Sequence, residues 1–126
     1  MAMAAAKACL EGVLTPENYE HVESLRRNMV GQLESVIEEY RLPAYAESIG
    51  FKGCVVFKED KIRNYRDYLD WDDRFSSAHW FYQHKGGVML PNGGKVEQWM
   101  FSVQHTPEDA QRFVDNFAAY AKALRS

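Results

Sequence analysis

One carboxylate stands where the surrounding pattern calls for an apolar residue. From Val96 to Val103 the chain alternates, with Val96, Gln98, Met100 and Ser102 on one side and Glu97, Trp99, Phe101 and Val103 on the other, the period of a strand. Glu97 therefore shares a face with three apolar side chains. It must reach water, a cation or a hydrogen-bond donor, because burying a carboxylate unpaired is very costly. Upstream, Val88, Met89 and Leu90 form a second short strand stopped by Pro91, and Asn92-Gly93-Gly94 suits a tight reversal through positive φ. Downstream, Thr106-Pro107-Glu108-Asp109 supplies a capping hydroxyl, a proline at the first helical position and two acids favoured by the helix dipole. His105 reads as an imidazole bonding the turn before that helix, and Ser102 as a strand-end hydroxyl bonding backbone.

Other reactive side chains lack a workable arrangement. His79 and His84 are five residues apart on one helix, so they point roughly 140° away from each other and cannot share a metal. His21 reads as an isolated helix-surface residue. Asp67, Asp70, Asp72 and Asp73 lack the glycine and distal glutamate of a calcium loop, and capping and solvation account for them. Gly93-Gly94 has none of the context of a phosphate loop. No nucleophile elbow or Ser/His/Asp spacing occurs, and no metal is assigned.

The elements that must position Glu97 follow from periodicity. An alanine-rich helix over Ala2–Glu11 stops at Gly12 and, with little polar surface, should pack on most sides. A helix without a cap at the first methionine reads as a piece of a longer chain. Thr15-Pro16-Glu17 opens a second helix, with Val22, Leu25, Met29, Leu33, Val36 and Tyr40 as its core stripe. Two strands, Ala44–Ile49 and Phe51–Lys58, flank Gly50, the second reading as a central strand in which Gly53 marks a bulge or a close backbone approach. After a charged loop, Asp72 or Asp73 caps a helix to Lys85 whose apolar side is Phe75, Ala78, Phe81 and Tyr82. Ala110, Phe113, Val114, Phe117, Ala121 and Leu124 give the last helix its inner face. This order predicts an α/β (α+β) two-layer sandwich: a mostly antiparallel sheet of about four short strands with helices on one face. Trp80, Trp99, Phe101, Tyr65 and Tyr68 suggest a docking surface on the other face.

The chain's 126 residues predict one domain that hides roughly two-thirds of its unfolded surface. A hydrophobic content of 46% argues against disorder. A net charge of −3 without any basic run excludes a nucleic-acid partner. No membrane-length apolar stretch occurs, so the expected location is cytoplasmic, with Cys9 and Cys54 as buried thiols in a reducing compartment.

Glu-x4-Ser-x2-His-Thr, here Glu97, Ser102, His105 and Thr106, followed by an acidic first turn and a long amphipathic helix, resembles the C-terminal end of class III pyridoxal-phosphate-dependent aminotransferases. The nearest kin by this likeness are glutamate-1-semialdehyde 2,1-aminomutases. The Gly87-Val88 approach, the Pro91 turn and the opening AMAAAKACLEGVL fit the same family, so the likeness covers nearly the whole chain.

The resemblance implies the small domain of a fold-type I enzyme over residues 1–126, with residues 1–14 the remainder of a connecting helix. It implies pyridoxal phosphate in the full-length enzyme, held by a large domain that precedes this point, and no cofactor on this chain alone. Small-molecule amino donors and acceptors would meet a wall formed by Glu97, Trp99, Gly94 and Lys95, with Glu97 gating an arginine of the other domain. A homo-oligomer is compatible. The family's Glu-Ala-Gly-Phe is here Glu97-Gln98-Trp99-Met100, which implies a differently shaped pocket. The rival expectation is a free-standing non-catalytic interaction or dimerisation module.

Overall fold

The computed structural model describes residues 1–91 and 93–125, together with the backbone but not the side chain of Val96. Asn92, expected in the turn, and the outward side chain expected at Val96 lie outside the described residues. The order is α1 (Ala2–Gly12), α2 (Pro16–Glu39), β1 (Tyr45–Ile49), β2 (Lys52–Val56), α3 (Tyr65–Leu69), α4 (Arg74–Lys85), a 3₁₀ turn (Gly94–Val96), β3 (Trp99–Met100) and α5 (Pro107–Arg125). The sheet is antiparallel in the order β1-β2-β3. Helices α2 and α5 pack on each other, α2 meets β1 and α4 meets α5. No described helix is long and apolar enough to cross a membrane.

Local chemistry explains most boundaries. The Thr15 hydroxyl accepts from the Asn18 amide, and Pro16 begins α2, where its missing N–H is of no consequence. The apolar stripe of α2 is buried at Val22, Leu25, Met29, Leu33 and Val36, joined by Ile37. The helix ends in a left-handed residue, Arg41 at φ 47°, with the Arg41 and Leu42 amides bonding back to Glu38 and Ile37. That is a Schellman closure without glycine. Arg125 of α5 donates to the Tyr40 and Arg41 carbonyls, tying the two helix ends together.

Gly50, at φ 52°, turns the β1–β2 hairpin. Gly53 in β2 is a close approach: a Cβ there would lie 2.2 Å from the Trp99 ring and 2.6 Å from the Glu47 carbonyl oxygen.

Several expectations need correction. The sheet has three strands, not four, because Val88–Leu90 is not a strand. The Val88 amide bonds the Gln83 carbonyl at 2.8 Å and the Gly87 amide bonds His84 at 3.0 Å, closing α4 through Gly87 at φ 82°. A backbone committed to ending a helix cannot also pair as a strand. The expected long strand from Val96 shrinks to Trp99–Met100, because Gly94–Val96 coils into the 3₁₀ turn. Between the charged loop and α4 lies a further short helix, α3, capped by the Asn64 side chain. For α4 the N-terminal acceptor is Asp72, bonded to the Arg74 amide, while Asp73 occupies the cap position without a side-chain bond.

Burial brings further corrections. The inner face of α4 is Ser76, His79 and Gln83, whereas Phe75 and Phe81 are exposed. Trp99 and Phe101 are core residues and not part of an outer docking patch, although Tyr65 is exposed. Helix α1 buries no residue, so the packing expected around it is not made within this chain. Leu124 is exposed, and Tyr120 takes its place in the inner stripe of α5. His21 is not isolated, since its Nε2 lies 3.0 Å from the His105 carbonyl oxygen.

Neither cysteine is fully buried: Cys9 is exposed and Cys54 partly so, and both are free thiols. Burial, with the nearby Glu97 and Glu47 charges, pushes the Cys54 thiol up to about 11. A maleimide at neutral pH should therefore label Cys9 at least about tenfold faster than Cys54, read by mass spectrometry of the cleaved chain. Gly53→Ala must displace the Trp99 ring and should lower stability by about 2 kcal/mol. In urea unfolding this would appear as a lower midpoint with an unchanged slope.

Candidate functional site

Alternation along the segment after the 3₁₀ turn survives its loss of strand pairing. Glu97, Trp99 and Phe101 face inward and are buried, while Gln98, Met100 and Ser102 face out. Trp99 fixes this register, since its ring lies over Gly53 and meets Phe113 at 5.6 Å. Two residues before Trp99, the Glu97 carboxylate is drawn inward and retains only 2% of its side-chain exposure.

What receives Glu97 is His79, which is wholly buried: the Nδ1 to Oε1 separation is 2.8 Å. Aromatic rings enclose the imidazole, with centroids of Phe57, Phe113, Phe117 and Tyr120 at 6.0, 5.6, 5.2 and 5.7 Å. On the far side of the imidazole, Gln83 Nε2 stands 2.8 Å from His79 Nε2 and also donates to the Phe113 carbonyl at 2.9 Å. Asn116 Nδ2 donates to Gln83 Oε1 at 3.1 Å. A line of polar side chains thus runs from Glu97 through α4 into α5.

The line is incompletely satisfied. The His79–Glu97 contact is short but not a well-aligned hydrogen bond, and Glu97 Oε2 has no partner among the described residues. In an apolar enclosure such groups are costly. The Glu97 charge is also felt around it. Tyr120, whose hydroxyl donates to the Phe75 carbonyl, is raised well above the usual phenol range by burial first and by Glu97 second.

The expected wall residues do not form one surface. Glu97 and Trp99 point into the core. Gly94 and Lys95 sit on the 3₁₀ turn, with Gly94 at φ 73° and Lys95 Nζ donating to the Leu69 carbonyl at 2.8 Å, over the Tyr68 ring.

The downstream residues form a compact turn. The Ser102 amide donates to His105 Nδ1 at 2.9 Å, and the Asp109 amide donates to the Thr106 hydroxyl at 3.2 Å. Asp109 Oδ2 accepts from the Thr106 amide at 2.8 Å, a reciprocal cap. These Thr106 bonds, the amide first and the hydroxyl second, hold the Asp109 carboxyl below the usual range. Of the acids that precede α4, Asp67 accepts from Arg63 and Asn64, Asp70 pairs with Lys58, and Asp72 pairs with Arg74.

Two cavities flank the segment. One, of about 780 Å³, is lined by residues that include Met89, Gln98, Met100, His105 and Arg112. The other, of about 230 Å³, is apolar and lined by Leu14, Tyr19, Phe51, Phe101 and Val103 among others. His79 and Gln83 escaped sequence reasoning as partners of Glu97. The available signal was the three- and four-residue spacing of Ser76, His79 and Gln83, a polar stripe at a core helix period.

Glu97→Ala should cost about 3 kcal/mol or more in chemical denaturation, since it strands His79 beside a void. Glu97→Gln keeps an acceptor for His79 and removes the buried charge, and should cost no more than about 1 kcal/mol.

No protein-family model matches the chain. Among characterised proteins it is 29% identical over 112 residues to a glutamate-1-semialdehyde 2,1-aminomutase of Halalkalibacterium halodurans, covering 89% of this chain and 26% of that protein. It is 28% identical over 125 residues to the Thermomicrobium roseum aminomutase, covering 98% of this chain and 28% of that protein. Among solved structures, a glutamate-1-semialdehyde aminomutase of Pseudomonas aeruginosa, in complex with PMP, superposes with a TM-score of 0.86 at 21% identity. That match covers 97% of this chain and 27% of the other. An omega-transaminase of Sphaerobacter thermophilus superposes with a TM-score of 0.70 at 16% identity, over 90% of this chain and 26% of the other. In sequence the chain is thus similar to glutamate-1-semialdehyde 2,1-aminomutases, and in fold to an aminomutase and to transaminases, and it spans about a quarter of the length of the relatives it matches.

Proposed function

We propose that this chain is the C-terminal small domain of a pyridoxal-phosphate-dependent class III aminotransferase or aminomutase, and that it forms one wall of the substrate site. The observation that carries this reading is the coverage: the likeness to the Thermomicrobium roseum enzyme takes in 98% of this chain but only 28% of that protein. In this reading residues 1–14 are the end of a connecting helix. The uncovered apolar surface of α1 then faces the large domain of the same enzyme. A cytoplasmic location fits the same reading.

In this reading the cofactor itself is held outside this chain. That chemistry needs a lysine able to form a Schiff base and an aspartate for the pyridine nitrogen. Among the described residues, the linings of these two cavities include no lysine. Lys7, Lys58 and Lys95 are engaged with Glu11, Asp70 and the Leu69 carbonyl. Cofactor binding is therefore assigned to the large domain, and this chain's contribution is positional. The 3₁₀ turn presents Gly94 and Lys95, and Glu97 and Trp99 support it from within. Closing such a wall over an amino donor excludes water and orients the reacting groups, effects worth several kcal/mol.

A chimera tests this: the matching quarter of the Thermomicrobium roseum aminomutase is replaced by this chain. The chimera should bind pyridoxal phosphate with near-parental affinity and show an altered preference among amino donors. Glu97→Gln in it should change that preference more than cofactor affinity, and equal loss of both would count against the wall. The 126-residue chain mixed alone with pyridoxal phosphate should give no internal-aldimine absorbance, and the appearance of that band would overturn the division of labour.

A further inference from the structure

The partners of His79 Nε2 dictate where the ring carries its proton. The Phe113 carbonyl can only accept, so the group of Gln83 that lies 2.9 Å from it must be the amide NH₂. Asn116 Nδ2 donating to Gln83 Oε1 gives the same orientation of that amide. The NH₂ group has a second hydrogen, and the atom 2.8 Å from its nitrogen is His79 Nε2. An N–H on Nε2 would oppose it, donor against donor. Nε2 therefore carries a lone pair, which rules out the doubly protonated imidazolium and places the single proton of the neutral ring on Nδ1. Nδ1, which carries that proton, lies 2.8 Å from Glu97 Oε1, off the line of a well-formed hydrogen bond but within reach of the carboxylate.

We propose that His79 is the positioning residue for Glu97: a neutral imidazole, its proton fixed on Nδ1 by the Gln83 amide, that holds the carboxylate turned into the domain core and away from the outer face of the rim. The pair is thus a donor and an acceptor and not two cancelling charges. Among the described residues no lysine or arginine forms an ion pair with Glu97, and the other titratable groups that sense its charge are Tyr120 of α5 and Cys54 of β2. Among the described residues the polar group closest to the carboxylate is this imidazole, set in a ring of Phe57, Phe113, Phe117 and Tyr120. Its importance for substrate choice rests on the wall reading above, whereas the proton assignment rests on this geometry alone.

The test uses the ¹⁵N-labelled 126-residue chain at neutral pH. Long-range ¹H–¹⁵N correlation of the histidine rings, with the His79 signals identified by their loss in His79→Asn, should show a protonated Nδ1 and a bare Nε2. An imidazolium pattern, or a proton on Nε2, overturns the proposal whatever becomes of the chimera. A set of substitutions adds a functional readout. Asn places an amide N–H near the position of Nδ1, whereas Gln places it near Nε2 and Leu supplies none. Read as the effect of Glu97→Ala, which removes the acceptor, the dependence on Glu97 should be at least about tenfold in the folding equilibrium constant both in the parent and in His79→Asn. For His79→Gln and His79→Leu the dependence on Glu97 should collapse. Equal coupling for Asn, Gln and Leu would show that the site needs only bulk and would refute the positioning role. If the Leu variant does not fold, the ring spectrum of the parent still decides.

Discussion

A carboxylate with almost no access to solvent constrains everything around it. Trp99 and Phe101 anchor their segment in the core, and the two-residue period carries Glu97 inward with them. Once inside, with 2% of its side-chain exposure left and no lysine or arginine paired with it among the described residues, the carboxylate must be met by a donor. Helix α4 meets it with His79, and α5 supports His79 indirectly through Gln83 and Asn116. Register, helix packing and polar network are therefore parts of one solution.

The same solution accounts for an odd helix. A surface helix normally turns its apolar stripe inward, yet α4 buries Ser76, His79 and Gln83 and leaves Phe81 67% exposed. The inward stripe is tolerated because Gln83 has partners in α5 and His79 stands among aromatic rings that contribute burial. The aromatic residues left outside, together with the uncovered α1, place apolar area on the surface of a chain that spans about a quarter of its relatives' length. In the function proposed above, such area faces the large domain.

Helices α2 and α5 and the hairpin were legible because their signals are local and redundant. Thr15-Pro16 and Thr106-Pro107 mark helix starts, the stripes of Val22 to Val36 and of Ala110 to Ala121 mark inner faces, and Gly50 marks the turn. The oddity of Glu97 was also legible, because a carboxylate in an apolar alternation stands out. Its partner was not. His79 is 18 residues away in sequence, on a helix whose apolar residues suggested the opposite face, and only tertiary packing chooses between the two. Val88–Leu90 misled for a related reason. Its composition suits a strand, but its amide is taken by the closure of α4. Local composition cannot report a hydrogen bond claimed by another element.

The contact on which the account turns is open to direct observation in the solid state. With glutamate labelled at the side-chain carboxyl carbon and histidine at Nδ1, the dipolar coupling between Glu97 and His79 measures their separation, with Glu97→Gln identifying the signal. A strong coupling, matching the 2.8 Å approach of Oε1 to Nδ1, is the predicted result. A Glu97 carboxyl that shows no coupling to His79 and exchanges with solvent would contradict it.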